Sequence, residues 1–186
     1  PPTNIDVDHC FTDIDEVRNF RPQAAVIANP ASHHLDMALT LAREGIHLLV
    51  EKPLSLQVTD GVLELIEICK EHDVILMIGY NLRFLPSLNA FRDLLLQDKV
   101  GKIFSIRAEV GQYLPDWRPG SDYRRAVSAQ KKLGGGVLLE LSHEIDYANF
   151  LINGLCLESA IIKNSKTLDI EVEDCADLIF TLGRGK

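Results

Sequence analysis

The sequence predicts an α/β fold class, in which a partial doubly wound parallel sheet is followed by an α+β domain with a largely antiparallel sheet. Three compact apolar runs are each followed by a short turn and a helical pattern, which is typical of buried parallel strands with right-handed crossovers. After about residue 100 apolar and polar residues alternate with a period of two, as in antiparallel strands. The three buried runs are residues 24–28, 46–50 and 74–78.

The first elements are predicted from apolar spacing and from residues that cap helices. Residues 5–10 alternate apolar and acidic side chains, which indicates a half-exposed strand. Thr12-Asp13 can cap a short helix over 14–20. After the first buried strand and its turn, a helix is expected over 33–44, and Gly45 ends it.

Two more helices complete the first half. Thr59 is expected to cap one that reaches residue 71, and another covers 86–97. Their spacing indicates which face is buried, since residues three and four apart share one side of a helix. The residues predicted to face inward are Leu35, Ala38, Leu39 and Ala42 on the helix over 33–44, and Val62, Leu65, Ile66 and Cys69 on the next.

The second half is predicted to be less regular. Residues 103–110 alternate as a strand would, and 111–133 form a long irregular segment. The triple glycine at 134–136 opens a helix over 137–152, and lets the backbone approach a ligand or another chain segment closely. Two strands, over 157–163 and 175–182, and a hairpin turn over 183–186 close the chain.

The change of pattern predicts a domain boundary near residues 98–102. Residues 1–100 are then part of a domain built on the parallel sheet, and 101–186 are the start of an α+β domain. We also expect a homo-oligomer formed through the sheet of the second domain.

Composition excludes several classes of function. The 186 residues include 19 Lys and Arg against 27 Asp and Glu, and the net charge of −8 argues against nucleic-acid binding. No apolar run approaches the length of a membrane span, and no basic-then-apolar signal stands at the amino end. The four cysteines are scattered without a Cys-x-x-Cys pair, which favours free thiols over a metal site. A cytoplasmic protein without a membrane partner is therefore expected.

Lys52 is the first candidate for chemistry. It follows the apolar residues 48–50 and precedes Pro53, which favours an extended backbone at the end of the strand. In an open α/β sheet ligands bind at that edge. A lysine there is suited to proton transfer, although a solvated strand end is the alternative for this motif alone.

A second cluster stands on the helix predicted after the triple glycine. Glu140 and His143 are three residues apart and would share a face, so the carboxylate could orient the imidazole. Glu144, four residues after Glu140, is the other candidate partner. The alternative is a capped helix with a solvated acidic face and one hydrogen-bonded histidine.

Five segments, in this order, resemble the glucose–fructose oxidoreductase, inositol dehydrogenase and rhizopine-catabolism (Gfo/Idh/MocA) family of nicotinamide-dependent sugar oxidoreductases. The resemblance runs over essentially the whole chain. It is fairly specific for the family and unspecific for the substrate. The segments are residues 28–34 (Ala-Asn-Pro-Ala-Ser-His-His), 51–53 (Glu-Lys-Pro), 79–84 (Gly-Tyr-Asn-Leu-Arg-Phe), 117–119 (Trp-Arg-Pro) and 134–146, with its triple glycine and His-Glu-Ile-Asp.

The resemblance implies a Rossmann-like fold, NAD or NADP as cofactor and a sugar or polyol substrate. Residues 1–100 would be the carboxyl-terminal part of the dinucleotide-binding domain, and 101–186 the start of the substrate and oligomerisation domain. Lys52 matches the lysine that contacts the reacting hydroxyl and the nicotinamide ribose, and His143 matches the general base. Glu140 is assigned to the catalytic set as the partner of His143. The cofactor-binding positions implied are Asn29, Pro30, His34 (rather than His33), Glu51, Lys52, Pro53, Tyr80, Asn81, Arg83, Trp117 and Arg118.

The sequence departs from the family pattern at two points. The family commonly has an aspartate four residues before its histidine, whereas here Glu140 stands three before it. The glycine-rich first strand–turn–helix, which holds the pyrophosphate of a dinucleotide, is absent from the 186 residues. We therefore expect a piece of a longer enzyme, which by itself binds a free dinucleotide poorly.

The expected function is NAD(P)-dependent hydride transfer to or from a hydroxyl or keto group of a sugar, inositol or sugar derivative. The alternative is a non-catalytic member of the same fold that binds a dinucleotide or a sugar, or only assembles. Lys52 and His143 favour the enzyme, and the shifted Glu140 favours the alternative. The substrate and the choice between NAD and NADP stay open.

Overall fold

The computed structural model describes residues 8–182, and its first half is built on a three-stranded parallel sheet. The strands lie side by side in chain order, so the predicted parallel sheet is confirmed, with strands slightly shorter than expected. Residues 8–10 are not in a strand, and the rest of the strand predicted over 5–10 lies outside the described residues. The three strands are β1 (Ala24–Ile27), β2 (His47–Val50) and β3 (Leu76–Ile78).

Four helices accompany this sheet, close to the predicted ranges. The first begins at an Asp13 cap whose carboxylate accepts a hydrogen bond of 2.8 Å from the Asp15 amide, as the sequence predicted. The second is preceded by a 3₁₀ turn over Ala31–His33. The helices are α1 (Ile14–Phe20), α2 (His34–Ala42), α3 (Asp60–Glu71) and α4 (Pro86–Leu96).

The core of this half includes residues of β2, α2 and α3, with Val50, Ala38 and Leu65 fully buried. The predicted inward face of α3 is wrong at one position, because Ile68 is buried and Ile66 is 39% exposed. Both Ile66 and Ile68 are apolar, and the helical spacing alone did not decide which of them faces the core. Packing against α2 and the sheet selects the face that contains Leu65, Ile68 and Cys69.

The second half contains two helices and an antiparallel pair of strands. The predicted pair is confirmed, with a register irregularity between Leu157 and Ser159. The predicted hairpin turn over 183–186 lies outside the described residues. The elements are α5 (Val137–Glu140), α6 (His143–Ile152), β4 (Leu155–Lys163) and β5 (Cys175–Leu182).

The single helix predicted over 137–152 is wrong, since the chain breaks it at Leu141 and Ser142. In an unbroken helix the carbonyls of Leu139 and Glu140 would accept bonds from amides four residues later. Here the Ser142 hydroxyl donates to the Leu139 carbonyl at 3.1 Å, and the Lys52 ammonium donates to the Glu140 carbonyl at 2.7 Å. Side chains thus replace the amide donors at the end of α5.

The strand predicted over 103–110 is also wrong. The alternation is present in the sequence, but within residues 8–182 the only partners of β4 and β5 are each other. The apolar side chains of Phe104, Ile106 and Val110 stay exposed. Alternation specifies two faces, and a strand additionally needs a hydrogen-bonded neighbour.

Within residues 8–182, no helix combines the length and the apolar character needed to cross a bilayer. The same part of the chain holds no group of three or more His, Cys, Asp or Glu side chains placed to bind a metal ion. The cysteines Cys10, Cys69, Cys156 and Cys175 are free.

Candidate active site

The carboxyl edge of the parallel sheet gathers the three predicted turns. Asn29 follows β1, Lys52 follows β2 and Tyr80 follows β3. Because the strands are parallel and adjacent, these turns lie next to one another at the edge where doubly wound sheets bind ligands.

Lys52 joins this edge to the second half of the chain. Its Nζ donates a hydrogen bond of 2.7 Å to the main-chain carbonyl of Glu140, 88 positions later. The same Nζ is 3.8 Å from Glu140 Oε2, and the two side chains are 18% and 22% exposed. The lysine is therefore mostly withdrawn from solvent and held by both the backbone and the carboxylate of Glu140. The Lys52–Pro53 peptide bond is cis.

His34, a predicted cofactor residue, instead ties two turns together. The side chain is buried, with Nδ1 at 2.7 Å from the Pro53 carbonyl and Nε2 at 2.7 Å from the Asn29 carbonyl. Both ring nitrogens face main-chain oxygens, so neither is free for a ligand. The histidine positions the turns that carry Asn29 and Lys52.

His143 is the first residue of α6 and packs against the turn after β3. The Tyr80 ring meets the imidazole edge to face, with centroids 5.6 Å apart and planes at 87°. Tyr80 is itself anchored, because its hydroxyl is 3.4 Å from Ser142 Oγ. Within the described residues, the buried Nδ1 of His143 has no hydrogen-bond partner.

The predicted pairing of Glu140 with His143 is therefore not found at Nδ1. Glu140 ends α5 while His143 begins α6, so the three-residue spacing no longer places them on one helical face. The Glu140 carboxylate lies beside Lys52 instead. Glu144 does not bond to His143 in the described residues either.

Arg83 makes a second connection between the halves. Its guanidinium binds Asp146 of α6 through both Nε and Nη2, with distances of 2.6–3.1 Å. This hydrogen bond raises the pKa of Arg83, although partial burial opposes the rise. The guanidinium also lies 5.5 Å from the centre of the Phe150 ring. Arg83 is thus held by Asp146, and its contact with the cofactor stays a prediction.

The remaining predicted residues differ in burial. Glu51 is exposed and lies against Gly79, where an added Cβ would be 3.0 Å from Glu51 Oε2. Asn81 and Arg118 are exposed. Trp117 is partly buried. Close contact with Glu51 leaves little room for any side chain at Gly79.

Four buried polar atoms of the described residues have no hydrogen-bond partner. Leaving such an atom without any hydrogen bond costs about 1–3 kcal/mol, so each is a position at which water or a ligand group can bind. Ser32 was not predicted as a site residue. Its place in the Asn-Pro-Ala-Ser turn after β1 was the only signal in the sequence that could have identified it. The atoms are Asn29 Oδ1, Ser32 Oγ, Trp117 Nε1 and His143 Nδ1.

Trp117, one of these four residues, lines a cavity of about 300 Å³. Trp117 and Glu140 line it together with residues that sequence reasoning missed, which come from the irregular segment before α5 and from the segment between β4 and β5. Neither group of residues belongs to a motif, and only the fold brings them together beside α5. The missed residues include Tyr113, Ser128, Thr167, Glu173 and Asp174.

The triple glycine packs against other chain segments, one of the two predicted possibilities. A Cβ at Gly134 would lie 2.8 Å from Ala31 Cβ, and one at Gly135 would lie 2.5 Å from the Val127 carbonyl. A Cβ at Gly136 would collide with the carboxylate of Glu173. The three glycines therefore let three separate segments converge at the start of α5.

Comparison with known protein families covers nearly the entire chain. Residues 3–80 match the model of an oxidoreductase family with an NAD-binding Rossmann fold, GFO_IDH_MocA. Residues 88–186 match the model of the GFO/IDH/MocA C-terminal domain.

Similar proteins of known sequence or structure are about twice as long. The chain is 30% identical over 194 residues to an uncharacterised oxidoreductase of Synechocystis, covering 95% of this chain and 50% of that protein. It is 28% identical to a myo-inositol 2-dehydrogenase of Thermotoga maritima, covering 83% of this chain and 43% of that protein. A solved structure of levoglucosan dehydrogenase with NADH and levoglucosan has the same fold, with a TM-score of 0.76 and 23% identity over 92% of this chain and 48% of that one. The chain thus spans half or less of the length of these relatives.

Proposed function

The chain belongs to the Gfo/Idh/MocA oxidoreductase family, and we propose that it carries the site at which a hydride passes between a nicotinamide cofactor and a hydroxyl or keto group of a sugar, inositol or sugar derivative. The observation that carries the proposal is the position of Lys52. This lysine leaves the ligand-binding edge of the parallel sheet and donates to Glu140, at the wall of the cavity.

The residues at the sheet edge fit a dinucleotide, NAD or NADP. Asn29 Oδ1 and Ser32 Oγ are buried and unpaired in the turn after β1, and each can bond to a hydroxyl or an amide. Asn29, Ser32, Glu51 and Lys52 would hold the nicotinamide half. When bound, the nicotinamide accepts a hydride in one direction and donates it in the other.

The side chains of this chain supply position and proton transfer. His143 is assigned to remove the proton of the substrate hydroxyl, because its ring is fixed by Tyr80 and its Nδ1 is unpaired. Lys52 is assigned to stabilise the negative charge that develops on the substrate oxygen. A positioned acid or base of this kind accelerates a reaction roughly 10²–10⁴-fold.

The cavity favours a polyhydroxylated ligand. Tyr113 and Trp117 provide aromatic surface, while Ser128, Thr167 and Glu140 provide hydroxyl and carboxylate groups for hydrogen bonds. The relatives named as acting on myo-inositol and levoglucosan are consistent with such a ligand. A sugar or cyclic polyol is therefore the proposed substrate class.

Steady-state kinetics on the full-length protein test the proposal. Sugars and inositols are screened with NAD and NADP, and the absorbance of the reduced cofactor is followed. With the best substrate, Lys52→Ala and His143→Ala should each lower kcat by about 10²–10⁴-fold, because each acts on charge that develops during the reaction.

The affinity for the cofactor should change far less than kcat, as fluorescence titration of NADH would show. Lys99→Ala is the matched control, since Lys99 is exposed and remote in sequence from the site. Near-normal turnover of either variant with the true substrate would remove its assigned role.

A further inference from the structure

The charged side chains that line the cavity beside Lys52 are all acidic. Its lining includes the carboxylates of Glu140, Glu173 and Asp174, and no lysine, arginine or histidine. These acids come from the end of α5 and from the segment just before β5. Carboxylates from two parts of the chain therefore line the cavity.

The cations near the cavity compensate only one of the three carboxylates. Lys52 lies 3.8 Å from the Glu140 carboxylate, so that pair is close to neutral. Glu173 and Asp174 have no ion pair within 4 Å among the described residues. Lys163 is the nearby cation that favours the charged form of Asp174, but it lies outside that limit and does not line the cavity.

Glu173 and Asp174 are held in place by the chain itself. Glu173 Oε1 accepts from the Leu138 amide at 3.3 Å, and Asp174 accepts from the amide and hydroxyl of Ser165 at 2.7 and 2.6 Å. These neutral donors orient the carboxylates without neutralising them. An anionic ligand would find no lining cation and two fixed negative charges.

The indole of Trp117 adds a hydrogen-bond donor to this site. Its Nε1 is buried and has no partner among the described residues, and Trp117 lines the cavity. Because an indole N–H can only donate, it suits an acceptor such as a sugar oxygen.

We propose that the sugar bound in this cavity carries no negative charge: the site selects neutral sugars or polyols over sugar acids and sugar phosphates. This inference rests on the proposed function, because it concerns the substrate of the same site. Like charges in a partly hydrated cleft repel each other, so an anionic sugar should bind at least tenfold more weakly than a neutral one.

Fluorescence titration tests the charge preference independently of turnover. Trp117 is the sole tryptophan of the chain, so its emission reports on ligands in the cavity. The probes are D-glucose, D-galactose and myo-inositol, compared with D-glucuronate and D-galacturonate at constant ionic strength. We expect each neutral sugar to bind at least tenfold more tightly than its matched acid, and D-glucosamine to bind at least as tightly as glucose.

Two substitutions locate the source of the preference. Asp174→Asn keeps the shape of the side chain and should lower the ratio of the uronate to the glucose dissociation constant several-fold. Thr167→Lys, at an exposed lining position, should also improve uronate binding, because it adds a cation. Circular dichroism melting checks that both variants fold, and Glu173→Gln replaces Asp174→Asn if that variant does not.

The outcomes separate this inference from the proposed function. Equal or tighter binding of the uronates by the unmodified protein overturns the inference, as does a preference that neither Asp174→Asn nor Thr167→Lys alters. If the full-length protein oxidises none of the probes but the chain still prefers the neutral ones, the proposed reaction fails while the charge selectivity stands.

Discussion

Replacement of Gly134 by alanine should destabilise the chain at the junction of its two halves. Gly134 has φ = +92°, and an alanine there costs about 1–2 kcal/mol in the backbone alone. Its Cβ would also lie 2.6 Å from Leu56 Cδ2 and 2.8 Å from Ala31 Cβ. The leucine end can turn away, but the alanine Cβ is fixed by the backbone, which adds about 1–3 kcal/mol of overpacking.

Gly120→Ala is the matched control, because Gly120 has φ = +84° and nothing lies within 4 Å of its added Cβ. The two variants share the backbone cost, so the difference isolates the collision. At about 2–4 °C per kcal/mol, Gly134→Ala should melt about 2–12 °C below Gly120→Ala in differential scanning fluorimetry.

A double-mutant cycle with Ala31→Gly identifies the colliding atom. Removing the Ala31 Cβ should recover most of the extra loss in the Gly134→Ala background, because the 2.8 Å contact disappears. Equal melting temperatures for Gly134→Ala and Gly120→Ala, or no recovery in the double mutant, would refute the reasoning.

Two further predictions concern stability and thiol reactivity. Asp146→Asn should lower the free energy of unfolding in urea by about 1–3 kcal/mol, because it removes the charge that binds Arg83 from a side chain only 8% exposed. Glu67→Gln, in an exposed pair, should cost less than about 0.5 kcal/mol, and equal losses would contradict the reasoning. Burial raises the pKa of the Cys69 thiol, so iodoacetamide at mildly alkaline pH should modify the exposed Cys156 first, and Cys69 only after unfolding. Mass spectrometry of the modified peptides that showed Cys69 labelled first would disprove this order.

The first half of the chain was predictable because its signals are local. The apolar runs of β1 and β2 stand between turns, and the cap at Asp13 identifies the start of α1 at the observed residue. A short stretch of sequence is enough to identify a buried parallel strand or a capped helix. The carboxyl edge of the sheet then follows from the order of strands and helices.

The site was harder to predict where distant contacts decide the local structure. At the break between α5 and α6, the Glu140 carbonyl accepts a hydrogen bond from Lys52, 88 positions earlier in the chain. The helix propensities of residues 137–152 do not indicate this long-range contact. The same holds for Glu173 and Asp174, which reach the cavity only because β4 and β5 fold back over α5.

The contact between Lys52 and Glu140 has a consequence for how freely position 140 can vary. The short hydrogen bond of 2.7 Å is accepted by a peptide carbonyl, which every amino acid carries, while the carboxylate is the more distant partner at 3.8 Å. A substitution at 140 therefore leaves the main acceptor of the lysine in place as long as the backbone keeps its course. An acid displaced by one residue relative to the histidine is then a tolerable change, because the lysine is anchored by the path of the chain rather than by the identity of a side chain.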